Sequence, residues 1–213
     1  MKKIIGVITR CEKDKNDYEY YGINKEVFLL VDSYGCMVLP IIVNFSRNEK
    51  KEFEKVKGII DYCDGVILQG GDNYYSIDIL IAKYLYDKNI PTLGICLGMQ
   101  IMAACFNGEL KQIGDVSHYR KAGYAHIVEM NENSKTYDII KAKRIMVNSR
   151  HTEYIANTDL YITAYSEDGI IESVEDKNKL FFIGVQWHPE SNVDLYNKKL
   201  FDYYFNVCNM KRS

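Results

Sequence analysis

The segment PTLGICLGMQ, residues 91–100, places a cysteine where a predicted strand runs directly into a predicted helix. Such a turn is sharp, so the residue at its apex is strained and its side chain projects beyond the carboxyl end of the sheet. Gly94 and Gly98, two positions to either side, are the small neighbours that this turn requires. The pattern is typical of a nucleophile elbow, with Cys96 where many hydrolases have serine.

The position of Cys96 also favours its use as a nucleophile. It lies at a helix N-terminus, where the helix dipole and the free N–H groups stabilise a thiolate. The N–H of Leu97 points to the place where an oxyanion would form during attack on a carbonyl. Paired glycines end the predicted third strand and allow close approach of the backbone to a ligand. Gly70 and Gly71 are therefore candidates for the second oxyanion donor.

A nucleophilic thiol needs a base, and the base needs a group that orients it. Among the four histidines, His188 follows the strand-like run GVQW and precedes Pro189 and Glu190. Proline biases the preceding residue toward an extended backbone, and residues i and i+2 of an extended chain project to the same side. We therefore expect Glu190 to orient the imidazole of His188, whose other nitrogen faces Cys96, as a Cys-His-Glu triad.

The first half of the chain alternates strand-like and helix-like patterns. Short apolar runs predict strands at residues 4–9, 36–43, 65–71 and 91–96. Helical spacing of apolar residues predicts helices at 24–35, 46–63, 76–89 and 97–106. This alternation predicts an α/β fold with a mostly parallel central sheet and helices on both faces. The candidate residues follow strand ends, where open α/β sheets place their sites.

The second half has more strands and fewer helices. Strand-like runs occur at residues 125–130, 144–149, 160–166, 170–175 and 180–187, followed by an amphipathic helix at 193–212. Asp168 and Gly169 form a hairpin signal between two of these runs. We expect antiparallel strands added to the sheet. Because the sequence has no evident linker, repeat or low-complexity segment, we expect residues 1–213 to form one domain.

The composition argues against several classes of function. Lys and Arg total 27 against 29 Asp and Glu, a net charge of -2, which gives no electrostatic case for nucleic acid or an anionic membrane. No stretch approaches the ~20 apolar residues of a membrane span, and the amino-terminal apolar run is too short for a signal peptide. The six cysteines are far apart without a CxxC pair, which argues against a zinc site or a disulfide framework. We expect a cytoplasmic protein with no metal and no cofactor.

GICLGMQ together with GVQWHPE resembles the class I glutamine amidotransferase family. The resemblance implies a flavodoxin-like three-layer sandwich and an attack on a γ-glutamyl amide through a γ-glutamyl thioester. On the matching positions, Cys96 is the nucleophile, His188 the base and Glu190 the orienting residue. Gln100 matches a motif residue near the bound glutamyl group.

Two further segments, VNSRHTEYI and EDGIIESVEDKNKLFFIGVQWHPE, resemble the γ-glutamyl hydrolase branch, peptidase C26. This branch includes γ-glutamyl-γ-aminobutyrate hydrolases, and the resemblance covers nearly the whole chain, so we expect no fused synthase domain. It implies that Gly70, Ser149, Arg150 and His151 bind substrate. The chain departs from the branch where Thr152 follows His151 and where the loop after the glycine pair is short. The γ-glutamyl half of the substrate is therefore better supported than the amine.

Three functions stay open at this point. The first is a stand-alone hydrolase that acts on a small γ-glutamyl substrate, with a homodimer as its possible assembly. The second is a glutaminase subunit that donates ammonia to a synthase partner. The third is a binding module without activity, against which the complete triad argues. His118 and His126 are expected to be structural.

Overall fold

A computed structural model describes residues 2–44, 48–114, 118–120 and 123–210. The strands in these ranges are β1 (Ile4–Ile8), β2 (Arg10–Lys13), β3 (Glu19–Gly22), β4 (Met37–Ile41), β5 (Gly65–Leu68), β6 (Thr92–Ile95), β7 (Leu110–Gln112), β8 (His126–Met130), β9 (Arg144–Val147), β10 (Glu153–Ile155), β11 (Tyr161–Ser166), β12 (Ile171–Glu175) and β13 (Phe182–Val185). The helices are α1 (Lys25–Ser33), α2 (Glu49–Ile60), α3 (Ser76–Asp87), α4 (Leu97–Ala104), α5 (Lys135–Ile140) and α6 (Leu195–Met210), with a 3₁₀ turn at Pro189–Ser191.

The main sheet has nine strands in the order β4-β1-β5-β6-β13-β12-β11-β8-β9. The first five are parallel, and β13 brings the second half of the chain next to β6. Every residue of β5, β6 and β13 is buried, as expected for parallel strands that are covered on both faces. Because β6 and β13 are neighbours, the segments that follow them emerge at the same edge of the sheet.

The remaining strands extend the sheet in antiparallel fashion. β12 pairs with both β13 and β11, and β11 leads through β8 to the edge strand β9. Gly169 has φ +86° in the turn between β11 and β12, so the hairpin signal in the sequence is matched by the backbone. The expected antiparallel addition is therefore present.

Helices cover both faces of this sheet. On one face, α1 and α6 pack through residues such as Val31 and Phe201. On the other face, α2, α3 and α4 pack through residues such as Val56, Ile81 and Met102. The two buried clusters give the three-layer, flavodoxin-like α/β architecture that the sequence predicted. Since strands from both halves form one sheet, we propose that the chain is one domain.

The sequence did not predict two small antiparallel strand pairs or one short helix. The pairs are the β2–β3 hairpin and the long-range pair β7–β10, and the helix is α5. The strands of both pairs are three or four residues long and largely polar, so they carry no periodic apolar signal. Residues 46–47, at the start of one predicted helix, and residues 211–212, at the end of another, lie outside the described residues. Among the helices in the described ranges, none is both long and apolar enough to span a bilayer.

Candidate active site

Cys96 lies at the turn between β6 and α4 with φ 51° and ψ −107°. A positive φ is costly for a residue with a side chain, and such strain often occurs at functional sites. The N–H of Cys96 donates to the carbonyl of Val185 at 2.8 Å, which fixes the turn against the end of β13. The strand-turn-helix geometry is that of a nucleophile elbow.

The two glycines around Cys96 are required by close backbone contacts. A Cβ atom on Gly98 would lie 2.7 Å from the carbonyl carbon of Leu68 in β5. A Cβ atom on Gly94 would lie 2.8 Å from the carbonyl carbon of Gly98. Real Cβ atoms essentially never approach other atoms this closely. Both positions therefore exclude larger residues, as the steric argument from the sequence requires.

His188 and Glu190 form a buried pair at the end of β13. His188 Nδ1 lies 2.8 Å from Glu190 Oε1, and the residues are 7% and 5% exposed. Asn148 fixes the backbone on both sides of the ring: its Nδ2 donates to the His188 carbonyl at 2.8 Å, and its Oδ1 accepts from the His188 N–H at 2.9 Å. The Glu190 carboxylate thus orients the imidazole, and the Asn148 amide fixes the backbone that carries it.

The charges around His188 favour its protonated form. Burial alone would lower its pKa, but the Cys96 thiol group as an anion and the Glu190 carboxylate outweigh this effect and raise the pKa. Since Nδ1 is occupied by Glu190, the interaction with Cys96 uses the other ring nitrogen, Nε2. The arrangement is suited to a thiolate–imidazolium pair.

The predicted oxyanion donors lie next to this pair. A Cβ atom on Gly70 would be 3.0 Å from His188 Cε1 and 3.6 Å from Cys96 Cβ. A Cβ atom on Gly71 would be 3.2 Å from the Leu97 side chain. Leu97 is the first residue of α4, where backbone N–H groups lack an intrahelical acceptor. Gly71 lines both cavities that Cys96 lines, and Leu97 directly follows Cys96 in the chain.

Two cavities meet at Cys96. The first has a volume of about 370 Å³ and is lined by Gly70, Gly71, Cys96 and His188 together with Tyr20 from the β2–β3 hairpin. The second has a volume of about 280 Å³ and is lined by Gly71, Cys96, Gln100 and His151. Arg150 lines both cavities. A substrate bound across them would place its reacting bond at the thiol.

Most, but not all, of the residues that the resemblance assigned to substrate binding line these cavities. Gln100, Arg150 and His151 line them, and the Gln100 amide donates to the carbonyl of Glu153 at 3.1 Å. Ser149 is fully buried, and its hydroxyl donates to the carbonyl of His118 instead of facing the described cavity walls. Its position favours a structural role.

Some residues near Cys96 had escaped the sequence reasoning. Gln186 donates through Nε2 to the Cys96 sulfur at 3.6 Å, and its only signal is a polar residue in an apolar strand end. Arg10 forms a buried ion pair with Asp78, at 3.0 Å for both guanidinium nitrogens, and packs 3.0 Å from where a Gly71 Cβ would lie. Nothing in the sequence indicates that Arg10 and Asp78 meet.

A family model described as Peptidase C26 matches residues 75–190, more than half of the chain. The matched segment contains Cys96, His188 and Glu190. The chain belongs to the peptidase C26 family. It is thereby a member of the class I glutamine amidotransferase-like group, as its sequence indicated, and the family points to hydrolysis of carbon–nitrogen bonds.

Curated relatives of this C26 protein differ in length. A protein of Rickettsia prowazekii assigned as glutamine amidotransferase-like is 28% identical, over 89% of this chain and 91% of its own length. A glutamine-hydrolysing GMP synthase of Clostridium botulinum is 31% identical over 89% of this chain. The C26 protein spans only 38% of that synthase.

Solved structures share the fold. A protein of Thermoplasma acidophilum assigned as a GMP synthase subunit has a TM-score of 0.73 at 19% identity, covering 100% of this chain and 96% of its own. The glutaminase domain of CTPS from Trypanosoma brucei, with bound acivicin, has a TM-score of 0.71 at 16% identity, covering 100% of this chain and 96% of its own. At these identities the likeness concerns the fold alone.

Proposed function

We propose that this C26 protein is a cysteine-dependent hydrolase of γ-glutamyl amide bonds, with Cys96, His188 and Glu190 as its triad. The observation that carries the proposal is the strained Cys96 elbow beside the buried His188–Glu190 pair, at the junction of two cavities. This combination supplies a nucleophile, a base and room for both halves of a substrate.

The reaction proceeds in two halves. The Cys96 thiolate attacks the γ-carbonyl carbon, and the N–H groups of Gly71 and Leu97 stabilise the oxyanion that forms. The C–N bond then breaks as His188 donates a proton to the departing amine, which leaves a γ-glutamyl thioester. His188 next removes a proton from water, the water oxygen attacks the thioester, and the C–S bond breaks. Glutamate leaves, and the Cys96 thiolate and the protonated His188 are restored.

Arg150 is our candidate for the glutamyl end of the substrate. Its terminal nitrogen donates to Ser191 Oγ at 2.6 Å and lies 3.8 Å from Glu190 Oε1. Its buried Nε has no hydrogen-bond acceptor among the described residues. A guanidinium with a free donor at the junction of two cavities is suited to a carboxylate. We propose that the cavity with Gln100 and His151 takes the γ-glutamyl group.

The amine then lies in the larger cavity. Its wall includes Glu12 and Tyr20 of the β2–β3 hairpin and Tyr119 of the segment before β8. These side chains come from the chain itself, so the leaving group contacts this protein and not only a partner. A wall of this kind supports a stand-alone hydrolase that selects its amine.

The second candidate is a glutaminase subunit that donates ammonia to a synthase partner. The likeness to the C. botulinum GMP synthase over 89% of the chain favours it. The chain spans about two fifths of that relative, so a synthase activity would need residues beyond those of this sequence. We propose the homodimer only for the stand-alone hydrolase, and a measurement of the protein's molecular mass in solution tests it.

Glutamate release separates the two candidates. The purified chain is incubated with glutamine and with a panel of γ-glutamyl amines and peptides, and Cys96→Ala is the matched control. Cys96-dependent release from one γ-glutamyl amine, with little release from glutamine, supports the hydrolase. Silence across the panel, with Cys96 still alkylated by acivicin, supports the glutaminase subunit. Release that persists in Cys96→Ala overturns the assignment of the nucleophile.

A further inference from the structure

A second cluster of chemistry-bearing side chains lies beside the candidate active site, around the buried carboxylate of Glu172 in β12. His118 Nδ1 and His151 Nε2 are 3.3 Å apart, and they lie 3.4 Å and 3.6 Å from Glu172 Oε1. His118, His151 and Glu172 are 2%, 4% and 0% exposed. These three ligand atoms therefore form a compact, enclosed triangle.

The outer nitrogens of the two rings are already occupied. His118 Nε2 lies 3.0 Å from Asp168 Oδ2, and His151 Nδ1 lies 2.9 Å from the carbonyl of Glu153. Because carboxylate and carbonyl oxygens only accept, both of these nitrogens carry the hydrogen. In neutral rings the inner nitrogens then present lone pairs to each other and to Glu172. Three acceptors converge on one point, which calls for a cation.

Hydrogen bonds do not resolve this convergence. Three ring nitrogens approach Glu172 Oε1 at 3.2–3.6 Å, close enough for electrostatic attraction, but within the described part of the chain none meets either carboxylate oxygen with the geometry of a hydrogen bond. The third nitrogen is His126 Nε2, and both nitrogens of that ring also lack hydrogen bonds to described residues. The His126 ring packs 4.3 Å from that of His118. Buried polar groups without partners are uncommon, and a bound ion is one of the explanations for them.

The spacing fits a tetrahedral metal. Zinc binds imidazole nitrogen and carboxylate oxygen at about 2.0–2.2 Å, so neighbouring ligand atoms are about 3.3–3.6 Å apart in a tetrahedron. The observed separations of 3.3, 3.4 and 3.6 Å lie in this range. We propose that His118, His151 and Glu172 bind one divalent transition-metal ion of the zinc class.

The surroundings of the triangle match those of metal ligands. Metal-bound histidines usually donate their other ring N–H to a carboxylate or a backbone carbonyl, as His118 does to Asp168 and His151 to Glu153. This outer contact fixes the tautomer and directs the lone pair at the metal. A ring with its donor already engaged and its lone pair aimed inward is prepared for a cation.

The site would be structural, because all three ligands are nearly fully buried and away from bulk water. The ligands come from the segment before β8, from the loop between β9 and β10, and from β12. Tyr119, next to His118, forms a β-bridge with Arg150, next to His151, and both residues line the larger cavity. A metal at Glu172 would therefore fix one wall of the candidate active site. The spacing of the cysteines could not indicate such a site.

The test is metal binding in the full chain with Cys96→Ala, because the thiol of Cys96 beside His188 would itself bind zinc. Zinc per chain is measured after dialysis, and affinity is measured by competition with a chromophoric chelator. We expect one tightly bound ion per chain, and Co²⁺ in its place should show the intense visible absorption of a tetrahedral site. Absence of a tightly bound ion overturns the proposal and leaves a buried proton as the cation.

Added variants separate this site from adventitious binding. In the Cys96→Ala chain, Glu172→Gln should lose the stoichiometric ion. His188→Asn is the control, because it removes a histidine that lies outside the cluster, and it should keep the ion. Asp168 is half-exposed, so Asp168→Asn leaves the core intact. It should weaken affinity about 10- to 100-fold, as loss of an outer partner does. Unchanged affinity in Asp168→Asn and Glu172→Gln together would contradict the proposal.

Discussion

Gly70 is the position where a single added methyl group tests the geometry of the proposed catalytic pair. Its backbone does not have a positive φ, so alanine is accepted there without backbone strain. The new Cβ atom would lie 3.0 Å from His188 Cε1 and 3.6 Å from Cys96 Cβ. Ordinary contacts start at 3.4 Å, so the imidazole must move by a few tenths of an ångström away from its present position.

That movement affects catalysis more than stability. His188 is tied to Glu190 at 2.8 Å, so a displaced ring loses alignment with either Glu190 or Cys96. Misplacement of a reacting group by about 1 Å costs about 100-fold in rate, and a smaller shift costs proportionally less. We expect Gly70→Ala to lower kcat about 3- to 10-fold, which corresponds to about 0.7–1.4 kcal/mol of activation free energy.

The assay is glutamate release under saturating substrate, together with the rate of Cys96 alkylation by acivicin and the thermal midpoint. Gly58→Ala is the matched control, because Gly58 lies inside α2 with no atom within 4 Å of the added Cβ. It should keep full activity and gain about 1 kcal/mol of stability, which raises the midpoint by about 2–4 °C. Wild-type kcat in Gly70→Ala would refute the geometry we assign to the pair.

Three other predictions follow from the same contacts. Cys96→Ala should abolish turnover but keep the fold, as measured by circular dichroism. The turnover of His188→Asn should fall nearly as far, and that of Glu190→Gln should fall less, because glutamine can still accept a hydrogen bond from Nδ1. Equal losses of turnover in all three variants would contradict these roles. Because the Cys96 anion and the Glu190 carboxylate raise the pKa of His188, the imidazolium persists at neutral pH and activity should fall as alkaline pH removes its proton. Glu190→Gln should move this fall in the pH profile of kcat/KM to lower pH, and an unmoved profile would argue against the coupling. Asp78→Asn should destabilise the fold by about 3–5 kcal/mol in urea unfolding, because it leaves the buried Arg10 guanidinium without its carboxylate; a loss below 1 kcal/mol would show that Arg10 finds water.

The main elements were predictable because their signals are local. Val27, Leu30 and Val31 recur at helical spacing and are the buried residues of α1, which ends before Gly35 with φ +68°. Apolar runs marked β1, β5, β6 and β13, and paired turn residues marked the β11–β12 hairpin. The β2–β3 hairpin was missed, since its exposed tyrosines and charged residues resemble a loop in sequence.

The candidate site was predictable in part for a similar reason. Glycines at fixed distance from a cysteine have one steric explanation, and an HPE run sets a histidine and a carboxylate two residues apart. Asn148 and Gln186 contact His188 and Cys96 from distant parts of the chain, so their roles depend on the fold. The same holds for Ser149, which the resemblance placed at the substrate and the structure buries against His118.

The sequence by itself therefore determined the family, the alternating α/β architecture and the residues proposed for the nucleophile, base and orienting roles. These follow from backbone sterics and short-range spacing, which act within a few residues. The tertiary structure alone decided which distant groups meet: Arg10 with Asp78, and three histidines with Glu172. Such meetings depend on strand order, since β12 lies next to β13 only because the antiparallel half of the sheet continues from the parallel half. No local pattern of residues carries that information.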